Sequence, residues 1–160
     1  MKRIAIVLPI LVTACASTVS VPDSLKPAAG ESLALVVPAK GVQIYECRNA
    51  SWAFVAPEAE LFDRAGRKVG RHYAGPHWEA ADGSKIVGAV KERADAPVAG
   101  AIPWLLLSTK SVGSEGAFSK VTSIQRVATV GGVAPAGTCS QPGSQARVNY
   151  TADYYFFISK

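Results

Sequence analysis

Residues 68–90 read Lys-Val-Gly-Arg-His-Tyr-Ala-Gly-Pro-His-Trp-Glu-Ala-Ala-Asp-Gly-Ser-Lys-Ile-Val-Gly-Ala-Val. Asp82-Gly83 separates Trp78-Glu79-Ala80 from Lys85–Val90, and Asp-Gly between short apolar-rich runs is a strong hairpin signal. Upstream, Asp63-Arg64-Ala65-Gly66 places a turn acid and a glycine between Ala59–Asp63 and Lys68–Tyr73. Further out, Gly41 opens Val42–Cys47. There Val42, Ile44 and Glu46 take one face and Gln43, Tyr45 and Cys47 the other, at period two. A short Arg-Asn-Ala-Ser break leads into Trp52–Val55, and Leu33–Pro38 reads as a short strand ended by proline. Downstream, Trp104–Ser108 is apolar throughout, which implies cover on both faces. Val121–Val130 alternates loosely and is rich in Thr and Val, and Ala146–Ile158 is an aromatic terminal strand docked into the core. No segment keeps a 3.6-residue period over a dozen positions. The pattern predicts an all-β, single-domain, antiparallel β-sandwich or barrel of about nine short strands.

Composition agrees. Of 160 residues, 49% are hydrophobic and 18% charged, so the chain can bury a core and is not disordered. Fourteen Gly and ten Pro exceed the average share of about 12%, which favours turns over long helices.

The N-terminus reads as an address. Met1-Lys2-Arg3 precedes the apolar run Ile4–Thr13, too short to span about 30 Å of hydrocarbon and suited to a signal-peptide core. Val12-Thr13-Ala14-Cys15 resembles a lipobox, which would make residues 1–14 a lipoprotein signal peptide and Cys15 the lipidated first residue. Ala16, rather than Asp, after that cysteine favours the outer membrane, facing the periplasm. Residues 15–30, with two prolines and many small side chains, read as lipidated cysteine plus flexible tether, and residues 31–160 as the all-β domain. Fifteen tether residues reach at most about 50 Å. Cleavage takes Lys2 and Arg3 away, so the formal charge falls from +5 to +3. That is weak support for a nucleic-acid partner, and none is expected. The cluster Arg64, Arg67, Lys68 and Arg71 reads as a solvated turn and strand face.

With Cys15 lipidated, Cys47 and Cys139 remain. In an oxidising compartment they suggest one disulfide, with two buried free thiols as the alternative.

Both histidines fall in Arg71–Ser84, with Gly75-Pro76 bending the chain between them. His72, Tyr73, His77, Trp78, Glu79 and Asp82 are the candidate ligand-binding residues. Two histidines and a carboxylate are zinc-ligand types, but their spacing matches no recognised motif. Ser84 with His72 and Asp82 lacks the Gly-x-Ser-x-Gly elbow, and Asp82-Gly83-Ser84 is better read as turn chemistry. No catalytic residue, metal ligand or cofactor is assigned. Of Trp52, Trp78 and Trp104, Trp104 reads as core and Trp78 as the best candidate for a partly exposed site.

Gly41–Cys47, Trp52–Leu61, His72–Glu79, Asp82–Ser84, Ile102–Leu106 and Ile124–Val127 together resemble the family called domain of unknown function 3455. The family is seen in bacterial envelope and secreted fungal proteins. The resemblance spans about residues 31–158 and implies a secreted all-β domain carrying the two cysteines. It implies no activity, so no catalytic residue is carried over. The expected function is that of a lipid-anchored cell-envelope protein, held to the membrane through Cys15, binding an envelope glycan, lipid or protein. The alternatives are a metal-dependent hydrolase using His72, His77, Glu79 and Asp82, and a purely structural envelope protein.

Overall fold

The computed structural model describes residues 19–160, so the signal-peptide and Cys15 readings lie outside the described residues. Eight strands follow one another: β1 (Glu31–Arg48), β2 (Ser51–Phe62), β3 (Lys68–Tyr73), β4 (His77–Ala80), β5 (Lys85–Ala94), β6 (Trp104–Ser111), β7 (Val121–Gly131) and β8 (Gln145–Ser159). Each pairs antiparallel with its sequence neighbour, and β8 returns to β1, closing a barrel. The expected all-β class is correct, and barrel rather than sandwich is the architecture.

The count is eight rather than about nine, because two expected breaks run through. Leu33–Pro38 and Val42–Cys47 are one strand. Pro38 needs no partner for its missing N–H on the β2 side, since β1–β2 pairing begins only at Ala39. Gly41 is a close approach: a Cβ there would lie 2.1 Å from the Glu58 carbonyl oxygen. Trp52–Val55 and Ala59–Asp63 likewise join across Pro57, which lies beyond the reach of β3, whose pairing with β2 starts at Ala59. The loose alternation of β7 is a bulge, with Ala128 at φ 49° and a register shift between Val127 and Val130.

The barrel interior holds Val37, Leu61, Trp78, Ile86, Leu107, Ile124, Tyr154 and Phe156. One end is shut by Phe118, edge-on to Phe156 at 4.9 Å between ring centres. Its loop is tied down by Asp82 and Ser84: Ala117 N–H donates to Asp82 Oδ2 (2.8 Å) and Phe118 N–H to Ser84 Oγ (3.0 Å). At the other end, the disulfide Cys47–Cys139 pins the long β7–β8 connection to β1. Tyr45 Oη donates to the Gly132 carbonyl of the same connection (2.6 Å).

The residues read as a flexible tether are, from residue 19, laid on the outside of the barrel wall. Leu25 is 0% exposed and packs with Trp104, Leu106 and Val127, flanked by Val19, Val21 and Tyr155. Gln125 Nε2 donates to the Leu25 carbonyl (2.6 Å). This strap explains the unbroken apolar run of β6. Leu105 and Leu107 face inward, while Trp104 and Leu106 face outward beneath the strap. Replacing Leu25 by Ala should cost about 2–5 kcal/mol, the range for a fully buried leucine. Urea unfolding followed by far-ultraviolet dichroism reads it, and a shift below about 0.5 kcal/mol would show the strap to be idle.

Candidate binding site in the barrel

Strand alternation sorts the six candidate residues into three places. His72 pairs with Trp78 across β3–β4, and both point inward. Their rings stack at 4.1 Å and 15°, and Tyr154 meets both edge-on. Tyr73, His77 and Glu79 have the opposite parity and sit on the outer wall. There Tyr73 Oη donates to Glu79 Oε2 (2.6 Å), Arg71 pairs with Glu79 (3.0 Å) and Tyr73 stacks on His77. The Tyr73 hydroxyl and then Arg71 hold the Glu79 carboxyl below its ordinary range. Asp82 sits in the turn at the closed end, where its bonds to Ser84 and the Ala117 N–H lower its carboxyl.

The four residues named for a metal-dependent hydrolase are therefore not brought together. The wall of the barrel stands between the two imidazoles, and His77 Nδ1–H is spent on the Ala74 carbonyl (2.7 Å). Among the described residues no three His, Cys, Asp or Glu side chains converge on a metal position. Ser84 Oγ donates to Asp82 itself (2.6 Å), which is turn chemistry rather than a nucleophile with a base. The basic cluster is largely neutralised by Arg67–Asp63, Lys68–Glu60 and Arg71–Glu79 pairs.

What the alternation does assemble is a cavity of about 300 Å³ inside the barrel. Its walls are Pro57, His72, Trp78, Leu105, Leu107 and Tyr154, with Gln43 and Arg126 as further polar members. It exists because β3 and β4 are short. Ser51–Glu58 of β2 and Ala89–Ala94 of β5 run past the β3–β4 hairpin without a partner on that side. The gap is a window in the wall, edged by Phe54, Val55, Val90 and the Gly75-Pro76 turn. Phe54 is 53% and Val90 58% exposed, so the border is apolar and solvent-facing.

The polar groups inside are unusually short of partners. His72 Nδ1 lies 2.8 Å from the His77 carbonyl oxygen. A carbonyl only accepts, so Nδ1 carries the proton and Nε2 keeps a lone pair. Burial, before all else, pushes the His72 pKa down to about 3, with Arg126 acting in the same direction. The imidazole is neutral. Gln43 Nε2 and Trp78 Nε1 are buried and have no hydrogen-bond partner. Arg126 gives Nε and Nη2 to the Pro103 carbonyl (3.1 and 2.8 Å), and no carboxylate among the described residues pairs with it. Around it stand the phenols of Tyr45, Tyr150 and Tyr154, raised by burial and eased downward by its charge.

Of the six candidates, His72 and Trp78 line the cavity, Trp78 fully buried rather than partly exposed as expected; Gln43, Arg126 and Tyr154 line it too and were not among the candidates. A signal existed for Arg126, the one charged residue of β7 and in parity with Ile124. Trp104 is buried as expected, but on the outer wall, and Trp52 does not line the cavity.

The chain belongs to the family described as protein of unknown function DUF3455, whose family model matches residues 27–158. That span takes in all eight strands but for the last residue of β8. No curated protein and no solved structure matches the chain.

The neutral buried imidazole sets a pH dependence. His72 has its pKa lowered from 6.5 to about 3, so below pH 6.5 the unfolded chain binds a proton that the folded chain refuses. Stability should therefore fall as pH drops from about 6.5 to about 4.5, approaching 1.4 kcal/mol per unit, before ordinary carboxylates begin to titrate. Chemical denaturation across that window should show a flatter slope in His72→Phe. An equal slope in both proteins would remove His72 as the cause.

Proposed function

We propose that this protein is a cell-envelope binding module, lipid-anchored through Cys15, whose barrel takes up a small and largely apolar molecule through the window between β2 and β5. The carrying observation is the cavity of about 300 Å³ with apolar walls and partnerless buried donors. Closed eight-stranded barrels have interiors of the size that holds one small ligand. At about 30 Å³ per water-sized group, the space takes roughly ten non-hydrogen atoms.

Among envelope molecules this favours the lipid class over a glycan. A sugar ring needs a free aromatic face and a dense set of polar contacts. Here the Trp78 ring is stacked by His72 and met edge-on by Tyr154. The remaining wall is Pro57, Leu105 and Leu107. Small acyl chains and other compact apolar metabolites match it better. The lipid anchor supports the reading by keeping the barrel close to a source of such molecules. The strap on the outer wall begins by residue 19, so few residues separate Cys15 from the barrel.

Two measurements test this. Cells fed an alkyne-tagged palmitate should label the wild-type chain, and Cys15→Ala should abolish labelling. Persistent labelling would refute anchoring at that residue. Separately, residues 16–160, which contain the strap and the whole barrel, should bind octan-1-ol at one site by calorimetry. Replacing Leu107 by Trp to fill the cavity should abolish that heat without loss of the far-ultraviolet signature. Binding unaffected by the filled cavity would place the ligand elsewhere.

A further inference from the structure

We infer that the cavity is built for a monocarboxylate, with Arg126 as the partner of its anionic head. The inference rests on the binding-module reading and names the ligand class of that same site. It starts from charge. Arg126 lines the cavity, and no Asp or Glu does. Arg126 is half-buried there without a carboxylate partner, and a cavity lined by one sign of charge attracts the opposite one.

Geometry narrows the anion. The Pro103 carbonyl takes Nε–H and one Nη2–H, which lie on one side of the guanidinium. The Tyr154 phenol adjoins the guanidinium, and three of the five N–H groups are not given to Pro103, including the end-on pair shared by Nη1 and Nη2. That pair is the fork that meets two carboxylate oxygens side by side. One guanidinium balances one negative charge, so a carboxylate fits better than a phosphate dianion.

The other polar atoms point the same way. Gln43 Nε2, on a residue only 3% exposed, and Trp78 Nε1, on one only 1% exposed, are donors without acceptors. An incoming oxygen anion supplies acceptors to a site that has a surplus of donors. The sole opposing feature is the lone pair on His72 Nε2, which suits a ligand hydroxyl or simply faces the apolar chain. The apolar remainder of the cavity, Pro57, Leu105 and Leu107, takes the rest of the molecule.

The test compares head groups on one chain, octanoate, octan-1-ol and methyl octanoate, titrated calorimetrically into residues 16–160 at neutral pH. Octanoate fills roughly ten heavy-atom positions, the capacity of the cavity. We expect it to bind at least about tenfold more tightly than the alcohol or the ester, as befits a hydrogen-bonded ion pair. Arg126→Met should erase that preference, and Arg126→Lys should keep part of it. Gln43→Leu should weaken octanoate yet raise the melting temperature of the empty protein, because it removes a buried partnerless donor. Equal affinity for the three heads would overturn the carboxylate inference and leave the apolar-ligand reading standing. No binding of any of the three would sink both. The wild-type head-group series decides the matter even where a variant fails to fold.

Discussion

The seam between β1 and β8 is the pairing on which the rest of the molecule depends. It runs from Glu31–Ser159 to Glu46–Gln145, almost the full length of both strands. It joins the two ends of the domain, so every other strand is held between partners. Closure also removes the sheet's edges, which otherwise invite association with other chains. Because side chains alternate at period two, closing the seam in this register fixes which residue of every strand sees the interior. His72, Trp78, Arg126 and Tyr154 meet because of that register, and His77 and Glu79 are kept apart by it.

The cavity then follows from unequal strand lengths. β1 has 18 residues and β2 has 12, while β3 has six and β4 four. A wall made of such strands is tall on one side and low on the other. At the closed end the strands are capped by Phe118 and its hydrogen-bonded loop, and the interior is filled by Leu61, Ile86, Ile124 and Phe156. Toward the low side, β2 and β5 lose their neighbours and the interior opens. Pro57 sits in this stretch, paired with Gln43 of β1 but without a β3 partner, and such one-sided stretches are where strands carry proline. On the far side the disulfide and the Tyr45–Gly132 bond hold the long β7–β8 connection in place. The opening is thus confined to one sector.

Much of this architecture was legible in the sequence, and the part that was not has a physical cause. Asp82-Gly83 and Asp63–Gly66 gave their turns, because positive φ and side-chain-to-backbone bonds are local properties. The Cys47–Cys139 pairing followed from compartment and parity of number. Alternation in β1 separated Gln43, Tyr45 and Cys47 from Val42, Ile44 and Glu46, but alternation alone does not say which face is inside. Hydropathy would have turned Val42 and Ile44 inward. The structure buries Gln43 and Tyr45 instead, since that level of the barrel holds a polar layer. Likewise the two covered faces of β6 were readable, but the strap covering one of them was not, because residues 19–30 look like a tether by composition. Arg126 was passed over for a related reason. An inward-facing, half-buried cation departs from the usual exposed place of charge on a strand, and sequence reading defaults to that place.

A fold that tolerates such a layer must gain stability elsewhere. Each buried partnerless donor costs roughly 1–3 kcal/mol, and Gln43 Nε2, Trp78 Nε1 and Trp104 Nε1 are of this kind. The neutral His72 adds a further cost at acid pH. Against these stand the disulfide, which closes a 92-residue separation and in the chain-entropy model contributes about 4–5 kcal/mol, and the strap that buries Leu25. Neither device touches the cavity. The stabilising features lie at the far connection and on the outer wall; of the three partnerless donors two line the cavity, and the third, Trp104 Nε1, lies beneath the strap. A barrel interior that leaves an open cavity and partnerless donors gives up stability that well-packed leucine at the same level would supply, and the disulfide and the strap offset that loss from outside it.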